Sequence, residues 1–225
     1  MKKISLYLFF LIGFYAIQVN GQDISKYPLS IKKKNSAKRM VFYLSGDGGM
    51  NSFSQSVVDA LSEKNFAIVS LDSKKYFWDA KTPDKLAQDL NGIIAYYLKA
   101  WDKDEFSILG YSFGADAALF LVPRLAKDLQ SKHQSTVVLS PSTSTDFVVK
   151  LTDLIGLGSK EAKYKTVPEL AKINSPLTII FGRDEDENIY KAFPERKNIN
   201  KIQIPGSHKF NNDIQKVVST IQSGL

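Results

Sequence analysis

One stretch decides the reading of this chain: Phe106-Ser107-Ile108-Leu109-Gly110-Tyr111-Ser112-Phe113-Gly114-Ala115-Asp116-Ala117. A short apolar run that fits a buried strand leads into Gly-x-Ser-x-Gly, and helix-forming residues follow at once. Glycines on either side of the serine allow close backbone approach where a strand turns sharply into a helix. Such a turn pushes the Ser112 hydroxyl out of the carboxyl edge of a sheet. The helix N-terminus beneath it favours negative charge. Ser112 is therefore a candidate nucleophile, the alternative being a structural tight turn.

Outward from that turn, short β-branched runs alternate with longer amphipathic ones. Met40–Leu44, Phe66–Leu71, Phe106–Leu109, Thr136–Leu139, Leu177–Phe181 and Ile202–Ile204 read as buried strands. Ser52–Glu63, Pro83–Ala100, Gly114–Lys132 and Asn211–Ile221 have helical spacing, and Pro83 stands where a first helical turn tolerates proline. The alternation predicts an α/β fold, a mainly parallel sheet of about six strands with helices on both faces. Thr145–Lys165 interrupts it and reads as a small insertion after the fourth strand.

A serine nucleophile needs a base and an orienting acid, and on a parallel sheet the three follow in the order Ser, acid, His. His208, in Pro205-Gly206-Ser207-His208 after the last strand, suits the base. His133 follows a helix, far from any strand's carboxyl end, and reads as a surface residue. The acid should follow the strand Leu177–Phe181, in Gly182-Arg183-Asp184-Glu185-Asp186-Glu187. The usual offset from the glycine favours Glu185, with Asp186 second and Asp184 third. The oxyanion donors should be the N–H of Phe113 and that of Asp47, in the loop Leu44-Ser45-Gly46-Asp47-Gly48-Gly49. That loop lacks the G-K-[ST] ending of a phosphate loop. The Asp47 carboxylate either hydrogen-bonds within its turn or receives a cationic substrate group.

Composition narrows the alternatives. With 44% hydrophobic and 24% charged residues and a mean hydropathy of −0.17, the chain has an ordinary globular balance. The absence of cysteine excludes disulfides, a thiolate metal site, a Cys nucleophile and Cys-linked lipid, and two histidines make a multi-histidine metal centre a poor fit. No cofactor is expected. Residues 1–21 read as a signal peptide: Lys2 and Lys3, an apolar core Leu6–Ile17, and a small-residue exit at Val19-Asn20-Gly21. That core is short of the ~20 residues that span a bilayer. The expected mature chain, 22–225, is a single domain that is periplasmic or secreted. Most of the +7 net charge is lysine, without the arginine clustering of a nucleic-acid reader, so no nucleic-acid partner is expected. The densest basic run, Ile31–Arg39, reads either as a solvated lead-in or as a contact for anionic lipid headgroups, a peripheral membrane contact.

These motifs, taken in order, resemble the VirJ/AcvB type of bacterial virulence protein, within the α/β-hydrolase superfamily. The resemblance rests on Leu44–Gly49, Leu71-Asp72-Ser73 with Tyr76-Phe77-Trp78, Lys81-Thr82-Pro83, Gly110–Asp116, Leu139-Ser140-Pro141 with Asp146-Phe147, and Pro205–His208. Met50, Leu119 and Ser207 depart from the family's pattern, and Met50 bears on the pocket wall. The resemblance implies a periplasmic serine hydrolase, and for the AcvB branch the hydrolysis of aminoacylated phosphatidylglycerol. A lysyl ester would want carboxylates, for which Asp47 and Asp72 stand ready, and Trp78 with Phe77 would either meet acyl chains or belong to the core. The competing expectations are an esterase or thioesterase of small soluble esters and a non-catalytic component of an envelope or secretion complex.

Overall fold

The computed structural model describes residues 23–149 and 162–225; the expected signal peptide and most of the expected insertion lie outside them. The strands are β1 (Leu29–Lys32), β2 (Met40–Leu44), β3 (Ala67–Leu71), β4 (Phe106–Tyr111), β5 (His133–Leu139), β6 (Ser144–Thr145), β7 (Tyr164–Lys165), β8 (Leu177–Gly182) and β9 (Ile199–Ile204). The helices are α1 (Ser52–Glu63), α2 (Ser73–Tyr76), α3 (Pro83–Ala100), α4 (Phe113–Leu121), α5 (Lys127–Gln130), α6 (Glu187–Ala192) and α7 (Ile214–Gly224). Seven strands form the main sheet in the order β1-β3-β2-β4-β5-β8-β9, and β6 pairs with β7 in a separate ribbon. Every pairing in the main sheet is parallel except β1 with β3.

The strand beyond the expected six is β1, which takes in Ile31 and Lys32 from the stretch read as a lead-in. It lies at the sheet's edge, with Leu29 opposite Leu71 and Ile31 opposite Val69. Three of its four residues are exposed, so it lacks the apolar run that marks the buried strands. A lysine on such an edge discourages pairing with another chain.

Two apolar layers hold the sheet. Phe42 and Leu44 of β2 pack with α3 and α4, through residues such as Leu86, Leu90 and Ala118. Val41 and Tyr43, one residue out of phase, pack with Val57 and Leu61 of α1 and Val217 and Ile221 of α7. This is the period-two alternation of a strand covered on both faces, and each such buried aliphatic side chain contributes roughly 1.5–3 kcal/mol.

Two helices depart from their expected bounds for local reasons. The expected helix Gly114–Lys132 stops at Leu121, because Pro123 cannot donate to the ladder. A 3₁₀ turn, Val122–Arg124, and the short α5 follow. The last helix starts at Ile214 instead of Asn211. Phe210, Asn211 and Asn212 all have positive φ, and Asp213 caps the helix by accepting from Lys216 N–H at 3.0 Å. Alignment of Leu44 with Leu71 and Gly110, and of Tyr111 with Leu139, brings the loops after β2, β3, β4 and β5 together at one edge of the sheet.

Candidate active site

Ser112 stands between β4 and α4 with φ 54° and ψ −123°, a conformation costly for a residue bearing Cβ. The surrounding backbone holds it there. Its N–H donates to the Leu139 carbonyl at 2.8 Å, and its own carbonyl accepts from Ala115 and Asp116. The two glycines are steric requirements. A Cβ on Gly110 would come within 2.5 Å of the Gly114 carbonyl oxygen, and one on Gly114 would run into the carbonyl oxygens of Leu44 and Ser45.

His208 Nε2 lies 2.8 Å from Ser112 Oγ, and His208 Nδ1 lies 3.2 Å from Glu185 Oε2. Glu185 Oε1 accepts from the Gly182 N–H at 2.6 Å and the Ser140 hydroxyl at 2.7 Å. Burial alone would push this carboxyl up. The hydrogen bonds from His208, Ser140 and Gly182 outweigh that and hold it below the usual carboxylate range. Tyr111 supports the histidine loop from below, its phenol donating to the His208 carbonyl at 3.1 Å. Burial first, then the charges of Glu185 and Asp47, raises the Tyr111 phenol well above its ordinary value, so it remains a donor.

Of the acids weighed for the site, Glu185 reaches His208 and Asp186 does not. Asp186 instead caps α6, accepting from Asn188 N–H at 2.9 Å, and Asp184 is exposed. His133, expected on the surface, opens β5 partly buried. It packs 5.3 Å from the Phe106 ring and bonds Thr136 Oγ1 at 3.0 Å, and burial pushes its pKa down to about 4. It does stand at the amino end of its strand, away from Ser112.

A cavity of about 220 Å³ opens beside the serine, lined by Ser112, Phe113, Asp47, Asp116, Asp146 and Ser142 among others. Asp47 rides a tight turn closed by Gly49 N–H on the Gly46 carbonyl at 3.0 Å. Among the described residues, no hydrogen bond from the N–H of Asp47 or Phe113 is found. Asp116, fully buried one helical turn after Ser112, accepts from Ser142 N–H at 2.7 Å, and Thr166 holds the Ser142 carbonyl at 2.5 Å. This ties the β6–β7 ribbon, whose Ser144 and Thr145 line the cavity, to the helix that carries the serine. Burial drives the Asp116 carboxyl well above the ordinary range. Asp116, Ser140 and Tyr111 were present in the motifs, but nothing in the sequence assigned them these contacts.

Asp72 is not among the cavity's lining. It caps α2 through Lys75 N–H at 3.2 Å and pairs with the Lys75 ammonium at 3.6 Å. The Phe77–Trp78 pair splits: Phe77 is core, edge-on to Phe113 at 4.8 Å, and Trp78 is 55% exposed. Met50 packs against the layer of α1 and lies outside the cavity lining. A wider groove of about 740 Å³ lies among Pro176, Thr178, Lys197 and Asn200 near the amino ends of β8 and β9, but no histidine or carboxylate lines it. Among the described residues, no group of three or more His, Cys, Asp or Glu side chains could hold a metal ion.

A mostly parallel sheet with a serine in a strained turn after one strand and a histidine after the last defines the α/β-hydrolase fold. Solved structures of that class are similar. A lipase-esterase related protein of Clostridium acetobutylicum superposes with a TM-score of 0.60 at 13% identity, over 88% of this chain and 98% of that one. Proline iminopeptidase of Mycobacterium smegmatis gives 0.63 at 12%, over 87% and 92%. Naproxen esterase of Bacillus subtilis gives 0.59 at 12%, over 88% of each chain. Residues 38–225 match the bacterial virulence protein family VirJ, and the chain belongs to that family. No curated protein matches it in sequence.

Proposed function

We propose that this chain is an exported serine hydrolase of carboxylic esters, acting through Ser112, His208 and Glu185. The observation that carries the reading is the unbroken line of contacts from Glu185 to His208 to Ser112, at 3.2 and 2.8 Å. Ser112 Oγ attacks the ester carbonyl and His208 Nε2 takes its proton. The tetrahedral oxyanion receives the N–H groups of Asp47 and Phe113, each donor worth about 10²–10³ in rate. Collapse expels the alcohol, which takes the proton from His208, and leaves an acyl-Ser112 ester. Water, deprotonated by the same histidine, then releases the carboxylic acid. Glu185 stays ionised throughout and fixes the ring with its proton on Nδ1.

The acyl group we assign is an aminoacyl one, with lysyl-phosphatidylglycerol as the best-fitting substrate. Among the described residues, the carboxyl groups of Asp47 and Asp146 line the cavity beside the serine together with the buried carboxyl of Asp116, whose pKa is raised, and no lysine or arginine does. Export follows from the signal-like residues 1–21 and puts the enzyme on the outer side of the inner membrane. A second reading, a hydrolase of small soluble esters, is favoured by two observations. The cavity is only about 220 Å³. The basic run also continues from β1 toward the amino edge of the sheet, opposite Ser112, because β1 runs antiparallel to β3.

The test is a fluorophosphonate probe on the mature chain, followed by lysyl-phosphatidylglycerol and a short-chain nitrophenyl ester as substrates. Ser112→Ala is expected to abolish labelling and both turnovers while the protein stays folded. Labelling that persists in that variant sinks the nucleophile assignment. Turnover of the nitrophenyl ester without the lipid favours the second reading.

A further inference from the structure

We propose that Ser140 is a positioning residue for the acid of this site, retained for its hydroxyl at a backbone position that favours glycine. The inference rests on the triad reading above and concerns a residue to which that reading gives no role.

Ser140 follows β5 and has φ +49°, in the left-handed region where glycine is the residue free of strain. A side chain there carries a conformational cost, which turns attention to the contacts it makes. The Ser140 side chain makes one contact that bears on chemistry: Oγ donates to Glu185 Oε1 at 2.7 Å. The residue is 2% exposed, so water has no ready access to replace the hydroxyl. The other donor to Oε1 is the Gly182 N–H, which fixes the carboxylate at one point and leaves it free to swing. The Ser140 hydroxyl supplies a second point, and the two together aim Oε2 at His208 Nδ1.

The surrounding backbone makes the hydroxyl a fixed reference. Ser140 N–H donates to the Ile180 carbonyl of β8 at 2.8 Å, and the Leu139 carbonyl next to it accepts from Ser112 N–H at 2.8 Å. The last residues of β5 thus hold the serine on one side and the acid on the other. Nucleophile and acid are registered against the same peptide.

Ser140→Gly separates the hydroxyl from the backbone, because glycine accepts φ +49° without strain. On a soluble ester, kcat is expected to fall roughly 10- to 30-fold, as for loss of a hydrogen bond to a charged group. KM should stay within about twofold and the melting temperature should not fall. Ser140→Ala should lose kcat to the same extent. In a Glu185→Gln background, Ser140→Gly should change kcat by less than about twofold, since residues acting as one unit are non-additive. Unchanged kcat in Ser140→Gly overturns the proposal, as does a full 10-fold loss in the Glu185→Gln background. Wild-type kcat in Glu185→Gln alone is a separate outcome: it overturns the triad reading first, and this inference with it.

Discussion

Replacing Glu185 by glutamine tests which carboxylate of the loop after β8 orients His208, and the geometry sets the size of the effect. Oε1 already takes two donors, Ser140 Oγ at 2.7 Å and Gly182 N–H at 2.6 Å. A glutamine has one acceptor oxygen, and these two donors hold it in place. The amide NH₂ then faces His208, and the ring must present Nδ1 as an acceptor, with its proton moved to Nε2. Nε2 is the atom 2.8 Å from Ser112 Oγ, and once protonated it cannot take the serine's proton. The same tautomer error in serine proteases costs about 10⁴ in kcat. Here kcat on a short-chain nitrophenyl ester should fall roughly 10³- to 10⁴-fold, about 4–5.5 kcal/mol of barrier. KM should change little, since Glu185 touches no part of the substrate in this mechanism. Asp186→Asn is the internal control: asparagine caps a helix as well as aspartate, so α6 and turnover should both survive, with kcat within about twofold. The reasoning is refuted if Glu185→Gln keeps kcat within tenfold of wild type, or if Asp186→Asn loses as much as Glu185→Gln.

Gly114→Ala should destabilise by about 3 kcal/mol, at the upper end for overpacking, because its Cβ meets the backbone carbonyl oxygens of Leu44 and Ser45, which cannot swing away; urea unfolding measures it. His133→Gln should flatten the loss of stability in acid. A histidine whose pKa falls from 6.5 unfolded to about 4 folded contributes stability that is present above the unfolded value and drains away as pH falls toward the folded one. Wild type should therefore lose roughly 2–3 kcal/mol more than the variant between pH 7 and 4, read by urea unfolding at each pH, and the variant's turnover at pH 7 should equal wild type's. Asp47→Asn should cost roughly 10- to 150-fold in kcat/KM on a lysyl ester and far less on a neutral ester of equal length, whereas Asp72→Asn, a helix-cap change, should not discriminate between them. Equal losses on the two esters for Asp47→Asn would remove that carboxylate from amine recognition.

How legible the fold was depended on what marked each boundary. α1 and α3 have the bounds expected, because Asn51 and Thr82 cap them and Pro83 sits in a first turn. α4 is shorter than expected because its apolar run continues through Pro123, and periodicity alone does not register a missing N–H. β1 has two apolar residues alternating with a serine and a lysine, too little pattern to stand out, and becomes a strand only because β3 offers an edge. In the site, Ser112 and His208 were readable from their punctuation by glycine and strand. The offset from Gly182 put Glu185 ahead of Asp186 but left both open, since four adjacent acids look alike until one meets a ring and another meets a helix end. Ser140 was beyond reach of pattern altogether: a serine before a proline carries no mark of its positive φ or of a partner 45 residues away.

Tyr111 grips the carbonyl of His208 and not its ring, and the rest of that loop is also fastened through main chain, as where Gly206 accepts from Asp184 N–H at 3.0 Å. The imidazole is therefore a detachable part. With the side chain cut back to glycine, the loop keeps its course, and a slot the shape of the missing ring stands between Glu185 and Ser112. His208 is half exposed at 49%, so the slot opens to solvent. Free imidazole entering it meets the same acceptor on one nitrogen and the same hydroxyl on the other. Added imidazole should restore part of the turnover of a His208→Gly enzyme in a saturable way. It should do so only at high concentration, because the reagent no longer has the entropic advantage of being tethered.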